Sequence, residues 1–281
     1  MKFTEITSEN AEEFSAYIDA DTADDLDRTF FRSIGALGDD DAPVGAIVYE
    51  LKNSENEDDT KSRIILLEGT DDEVTEKLLD EYKKELSEDE VTESYYETSN
   101  ETLYKLLSDN GFSGEQEEGE EISVSLEDLR KLNGVFKVKS FPEYIKSISE
   151  LSTLQYRSFI KNCLFRGKYG ILEDLSYLPK SWFETEVSSC AVVDDTVQGI
   201  LLIRKNPSGK LIAQLYVDIG PDSRRNLLLI LAYSCRKITE LYPEGTEVIV
   251  RRHSDAVRKL TGKLLSDPKG DKVYCGTRSE E

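Results

Sequence analysis

The residues best suited to chemistry follow a short apolar strand in the second half of the chain. Residues 215–219 have strand character, and they are followed by Arg224, Arg225 and Asn226 before a helix that starts at Leu227. The first N–H groups of a helix have no partner inside it, and they lie at the positive end of its dipole. A loop that carries two arginines into such a helix is therefore predicted to bind an anion, typically a phosphate.

A second group of basic residues ends the following predicted strand. Arg251, Arg252 and His253 come directly after the sequence TEVIV, and Arg258 lies one turn into the next helix. Neighbouring strands of an open α/β sheet bind ligands where their carboxyl ends meet. Two interpretations stay open: these arginines complete a phosphate cradle with the first group, or they pair with carboxylates of the acidic first half.

The chain offers several residues that could accept a proton. His253 is the single histidine, and a histidine beside arginines is more often solvated or a helix cap than a general base. Among the carboxylates, Asp218, Glu184 and Glu186 are nearest to the predicted groove. The sequence does not distinguish between them, and no catalytic residue is assigned.

Charge is divided unevenly along the chain. The 281 residues carry 57 acidic and 35 basic side chains, a formal charge of −22. Residues 1–133 contain 39 acidic and 12 basic side chains, whereas residues 134–281 contain 18 and 23. Nucleic-acid binding requires a concentrated basic face, so the acidic first half argues against a nucleic-acid partner. We expect any anionic ligand to bind in the second half.

Composition also limits the environment of the protein. No run of about eighteen apolar residues predicts a membrane span, and the N-terminus MKFTEITSENAEEF lacks the order of a signal peptide. The cysteines, at 163, 190, 235 and 275, are far apart and form no CxxC pair, so neither a disulfide nor a metal site is predicted. We expect a folded cytoplasmic protein with buried thiols and no membrane partner; its oligomeric state stays open.

An internal repeat organises the chain. In each half a predicted strand hairpin is followed by a third apolar strand, a long helix, and one more strand and helix. Hairpin, strand and helix fall at 34–51, 63–69 and 73–86 in the first half, and at 190–205, 213–220 and 226–242 in the second. The acidic stretch GEQEEGEE at 114–121 is expected to be a solvated hairpin loop. The boundary is placed near residue 134, which gives domains 1–133 and 134–281.

This repeat, with LYVD at 215–218 and the basic loop behind it, resembles the GNAT superfamily of N-acetyltransferases in a tandem arrangement. The resemblance implies an α/β fold of two units, each with a mixed, mainly antiparallel twisted sheet flanked by helices. It implies a structural first domain. It also implies that the second domain binds acetyl-CoA or another acyl-CoA through Val217, Ile219, Arg224, Arg225, Asn226 and Leu227.

The phosphate loop of that family is altered in this chain. Leu227 and Leu229 stand where the family has small residues, and the corresponding loop of the first half contains Asp71, Asp72 and Glu73. A side chain at a glycine position restricts close approach of a phosphate without removing the N–H donors. Three carboxylates repel an anion, so the first half is not expected to bind pyrophosphate.

A second family motif carries a tyrosine that can protonate the departing thiolate. The first half matches this motif from Asn100 to Phe112, but Leu107 stands at the tyrosine position, and the second half has Thr261 there. Two functions are therefore considered. One is an acyl-CoA-dependent N-acyltransferase that acts on a small-molecule or peptide amine. The other is a catalytically inactive GNAT-like protein that binds a partner.

Overall fold

The computed structural model describes residues 1–28, 30–53, 60–132, 134–165, 178–217, 223–252 and 255–280. The strands are β1 (Lys2–Glu5), β2 (Phe31–Leu37), β3 (Pro43–Asn53), β4 (Thr60–Gly69), β5 (Val91–Thr98), β6 (Ser113–Glu118), β7 (Glu121–Ser125), β8 (Ile145–Ser147), β9 (Ser189–Val193), β10 (Thr196–Lys205), β11 (Leu211–Val217), β12 (Glu247–Arg251) and β13 (Lys272–Ser279). The α-helices are α1 (Ala20–Asp25), α2 (Asp72–Glu88), α3 (Glu101–Asp109), α4 (Leu126–Lys131), α5 (Thr153–Phe165), α6 (Ser223–Leu241) and α7 (Asp255–Leu264).

These elements form two compact units, each built on one sheet. Unit 1 comprises Met1–Gly119 and Lys272–Glu281, and unit 2 comprises Glu120–Asp271. The strand order is β1-β2-β3-β4-β5-β13-β6 in unit 1 and β7-β12-β11-β10-β9-β8 in unit 2. Among the described strands, β4–β5 and β11–β12 pair in parallel and the other pairs are antiparallel. The predicted fold class, two mainly antiparallel sheets flanked by helices, is confirmed.

The predicted repeat is present in both units. β2–β3 and β9–β10 are the two hairpins, and Asp194 and Asp195 between the latter strands have φ of 49° and 61°. Positive φ at both residues is typical of the tight turns that match the twist of a hairpin. The third strand and the long helix of each repeat are β4 with α2 and β11 with α6. The predicted strand residues 218–220 lie outside the described part of the chain.

The two long helices pack on their sheets through one apolar face. Val74, Leu78 and Tyr82 of α2 recur at helical spacing and are buried in one core of unit 1. In the same way, Ile230 and Ile238 of α6 belong to a core of unit 2. A second apolar cluster completes each unit, around the segment 6–31 in unit 1 and around α5 in unit 2.

The sheet of unit 1 is completed by a strand from the far part of the chain. β7 pairs with β12 in unit 2, whereas β13 returns to unit 1 and lies between β5 and β6. The expectation of a hairpin loop at 114–121 is wrong, because β6 and β7 belong to different sheets. The predicted domains 1–133 and 134–281 differ from the two units at residues 120–133, which belong to unit 2, and at residues 272–281, which belong to unit 1. Strand pairing rather than chain order determines to which unit these residues belong.

A buried polar network fixes the end of β13 in unit 1. Ser94 of β5 donates a hydrogen bond to Glu280, and Arg278 forms an ion pair of 2.5 Å with the same carboxylate, whose side chain is 9% exposed. Ser94 is the register partner of both Arg278 and Ser62, and the Ser62 hydroxyl accepts a hydrogen bond of 2.8 Å from Tyr82. The last residues of the chain therefore link three strands and α2.

Removal of the Glu280 carboxylate should destabilise unit 1. Glu280→Ala is expected to lower the free energy of unfolding by about 1–3 kcal/mol, because it leaves Ser94 and Arg278 without their shared acceptor. Lys105→Ala, which removes an exposed ion pair with Glu101, should leave the unfolding midpoint unchanged. Urea denaturation followed by circular dichroism measures both variants, and equal midpoints would contradict a role for Glu280 in holding β13.

Candidate functional site

The strand β11 extends beyond its parallel neighbour. It pairs with β10 from Leu211 to Val217, but with β12 only from Leu211 to Ala213. Within the described residues, no strand therefore pairs with residues 214–217 on the β12 side. A free strand edge of this kind can accept main-chain hydrogen bonds from an extended ligand.

The helix α6 begins next to this open edge. Since β11, α6 and β12 form a parallel crossover, the start of α6 lies at the carboxyl end of β11. The helix begins at Ser223, earlier than predicted, so Arg224 and Arg225 lie exposed in its first turn and not in a loop before it; this turn contains no acidic residue. The helix dipole and two cationic side chains therefore favour an anion at this end of the strand.

Two side chains near the start of α6 point away from solvent. Leu229 is 9% exposed and belongs to a core cluster of unit 2, so it does not occupy the space in front of the helix. Asn226 is 2% exposed, and its Nδ2 donates a hydrogen bond of 3.0 Å to Oε1 of Gln198. Leu227 is half-buried. Of the residues assigned to this site from sequence, Ile219 lies outside the described chain, and the side chain of Val217 is likewise not described.

The second basic group is largely engaged elsewhere. Arg251 forms an ion pair of 2.6 Å with Glu121, and Arg252 donates a hydrogen bond of 2.6 Å to the Pro268 carbonyl. Pairing with an acidic residue, one of the two sequence interpretations, therefore holds for Arg251. Glu121 lies on β7 within unit 2, so this contact is made inside one sheet. Arg258 on α7 is exposed, and His253 lies outside the described residues.

Unit 1 contains the same crossover with the opposite charge. β4 and β5 pair only up to Ile64 and Tyr96, and α2 follows β4. The start of α2 is capped by Asp71, whose carboxylate accepts a hydrogen bond of 2.9 Å from the Val74 amide. Asp72 and Glu73 also lie in the first turn. Carboxylates thus occupy the positions in unit 1 where unit 2 has arginines.

The predicted proton acceptors do not gather at the end of β11. Glu184 accepts a hydrogen bond of 2.5 Å from Tyr242, which follows the last residue of α6. A helix of 19 residues is about 28 Å long, so Glu184 lies at the opposite end of α6 from the arginines, contrary to expectation. Burial and the neighbouring carboxylate both raise the pKa of Tyr242. Glu186 is exposed, and Asp218 lies outside the described residues.

The residues at the tyrosine positions of the second motif are buried. Leu107 belongs to the core of unit 1. Thr261 donates hydrogen bonds to the Val257 and Arg258 carbonyls of its own helix, at 2.9 and 3.1 Å. Neither side chain can serve as an acid for a leaving group.

Sequence reasoning missed Gln198, which contacts the first turn of α6. The local signal was present, because Gln198 is polar and stands between Val197 and Gly199 near the start of an apolar strand. A polar residue beside glycine in such a strand often marks a bulge. Its partner is 28 residues away, so the contact itself could not be read from the pattern.

The comparisons with known proteins place this geometry in a fold class. No family model matches the sequence, and no curated protein matches it. Solved structures do resemble it. A tandem GNAT protein from the clavulanic acid biosynthesis pathway superposes with a TM-score of 0.65 at 10% identity, over 100% of this chain and 98% of that one.

Two further structures give the same result. A GNAT-family acetyltransferase from Colwellia psychrerythraea has a TM-score of 0.57 at 11% identity, with 99% of this chain and 100% of that chain covered. A GCN5-related N-acetyltransferase from Sphaerobacter thermophilus has a TM-score of 0.55 at 11% identity, with 100% and 96% covered. The chain therefore has a two-unit α/β fold. More specifically, this is the GNAT fold in its tandem form.

The described residues contain no group of three histidine, cysteine, aspartate or glutamate side chains that could hold a metal ion. None of the described helices is long and apolar enough to cross a membrane. Cys190 and Cys235 are buried, and burial raises the pKa of each thiol to about 12. The thiolate is the reactive form, so neither residue is suited to act as a nucleophile.

Thiol labelling tests this assignment. Iodoacetamide at about pH 8 should modify Cys275, which is half-buried, well before Cys190 and Cys235. At about pH 9 these two thiols should still react far more slowly than Cys275, because their pKa values lie well above both conditions and only a small fraction of each is thiolate. Peptide mass spectrometry identifies the sites. Rapid modification of Cys190 in the folded protein would contradict this assignment, because it would show that the thiol is accessible to the reagent.

Proposed function

We propose that unit 2 binds an acyl-CoA and transfers its acyl group to an amine. The observation that carries the proposal is the early end of the β11–β12 pairing directly opposite the arginine-bearing start of α6. The tandem GNAT fold supports it, since the structural neighbours are acetyltransferases. Acetyl-CoA is the simplest donor of this class, and it is the ligand proposed for the first experiment.

The residues of this chain fit the two ends of such a donor. The free edge of β11 up to Val217 would pair with the amide groups of the pantetheine arm as an added strand. Arg224 and Arg225 would bind the phosphates, together with the backbone N–H groups at the very start of α6 that have no partner inside the helix. The Asn226 side chain is excluded from this contact by its burial against Gln198.

The proposed reaction is direct attack of an acceptor amine on the acyl carbon. A bound acyl-CoA would supply an activated thioester. The strand edge and the start of α6 would fix the thioester relative to the incoming nitrogen, so that a C–N bond forms as the C–S bond breaks. CoA would leave as its thiolate, and the amine proton would pass to a carboxylate or to water. The acceptor is proposed to be a small-molecule or peptide amine.

The proposed location of the reaction is the cytoplasm. Cys190, Cys235 and Cys275 are free thiols in the described part of the chain, which fits a reducing compartment.

A second candidate function is ligand binding without catalysis. It is favoured by the buried Leu107 and Thr261 at the tyrosine positions, because neither can protonate a leaving thiolate. Such a protein would keep the binding site for the donor or for a partner and would not carry out the transfer step. Mass spectrometry of candidate amines incubated with acetyl-CoA and the protein would separate the two functions.

Calorimetric titration with acetyl-CoA tests the proposed site. The wild type should bind one equivalent, and Arg224→Ala with Arg225→Ala should weaken binding by about tenfold or more, because two charge-assisted contacts are lost. Added salt should weaken wild-type binding more than binding by the variant.

A matched control removes two positive charges elsewhere in unit 2. Arg130→Ala with Lys237→Ala eliminates side chains that pair with Glu244 and Glu240, and it should leave affinity within about twofold. Equal losses in both double variants would indicate general charge attraction. Absence of binding by the wild type at millimolar ligand would refute the acyl-CoA site.

A further inference from the structure

A β-bulge lies beside the end of β11. In the pairing of β10 with β9, Val197 is opposite Val192 and Gly199 is opposite Ala191, which leaves Gln198 as an extra residue. A bulge of this kind redirects the side chain of the extra residue. On the other side of β10, Gly199 pairs with Val217, the last described residue of β11. The bulge therefore lies on β10 beside Val217, at the described end of the free β11 edge.

The redirected side chain reaches the first turn of α6. Oε1 of Gln198 accepts a hydrogen bond of 3.0 Å from Nδ2 of Asn226. Asn226 is 2% exposed, so water cannot readily replace this partner. A buried amide that loses its hydrogen bond carries an uncompensated desolvation cost, and the contact is therefore maintained. It is a direct side-chain link between the bulged strand and the helix start.

We propose that Gln198 and Asn226 form a positioning pair for the donor site. Their hydrogen bond sets the start of α6 relative to the end of β11, and thereby the distance between the phosphate contacts and the strand edge. This inference rests on the proposed acyl-CoA function. Neither side chain touches the donor in this assignment; both act through the backbone N–H groups of the first turn and through Arg224 and Arg225.

The pair matters because hydrogen bonds to phosphate depend steeply on geometry. N–H donors act at about 2.7–3.2 Å and weaken quickly when the angle or distance changes. The α6 start has arginines but lacks the glycines that allow a loop to close around a phosphate, so its N–H groups must already face the ligand. A link that fixes the first turn provides this orientation before binding.

The test uses Gln198→Leu, which keeps a side chain of comparable volume and removes the acceptor. Affinity for acetyl-CoA should fall about fivefold to tenfold, the usual effect of one lost hydrogen bond. Affinity for S-acetylpantetheine, which lacks the phosphates, should stay within about twofold. A variant that only loosened the fold would weaken both ligands equally.

A matched control breaks a polar contact further along the same helix. Ser234 of α6 lies 2.7 Å from the Ser189 hydroxyl of β9, and both residues are buried. Ser234→Ala should leave acetyl-CoA affinity unchanged. Hydrogen exchange followed by mass spectrometry should show faster exchange at the first turn of α6 in Gln198→Leu and no change there in Ser234→Ala.

Exchanging the two amides provides a rescue. Gln198→Asn combined with Asn226→Gln keeps the total length of the link, and it should restore affinity to within about threefold of the wild type, whereas Gln198→Asn alone should not. Unchanged affinity of Gln198→Leu for acetyl-CoA, with a wild type that binds, overturns the positioning role alone. A wild type that binds no acetyl-CoA overturns the proposed function, and the positioning role falls with it.

Discussion

The short parallel pairing of β11 with β12 is the constraint on which the site depends. Three residue pairs hold the strands together, and after Ala213 they separate. β12 is held on its other edge by β7 along all five of its residues, and β11 is held by β10. Each strand is therefore held by the neighbour on its other edge, and beyond Ala213 the two strands are not paired with each other. The crossover through α6 then places a helix start at the opening, since parallel strands are joined in this direction.

The same frame appears in both units, and charge determines what it can bind. Unit 1 contains 37 acidic and 12 basic side chains, whereas unit 2 contains 20 and 23. At the start of α2 the Asp71 carboxylate satisfies a backbone N–H group itself, so the helix supplies its own anion. The first turn of α6 carries Arg224 and Arg225, whereas the first turn of α2 carries Asp72 and Glu73. Of the two helix starts, that of α6 therefore has the charge that the proposed anion site requires.

Much of this could be predicted from sequence, because hairpins and amphipathic helices are local patterns. The two hairpins, α2 and α6 follow alternation and helical spacing of apolar residues, and the basic loop was visible beside them. The insertion of β13 next to β6 could not be predicted, because every residue of β6, SGEQEE, is exposed and its sequence shows no alternation. Its strand conformation comes from pairing with β13, about 160 residues away. Arg251 likewise resembled a ligand residue until its partner Glu121 was known.

The altered motifs bear more on the rate of the proposed transfer than on whether it can occur. Holding a thioester and an amine in reacting geometry is worth effective molarities of about 10⁵–10⁸ M. A general acid contributes about 10²–10⁴-fold. In the proposed transfer, the missing motif tyrosines would cost the smaller factor, whereas the strand edge and helix start that would provide the larger one are both present. The proposed rate would therefore depend most on how firmly α6 is positioned against β11, and Gln198 is hydrogen-bonded to the first turn of that helix.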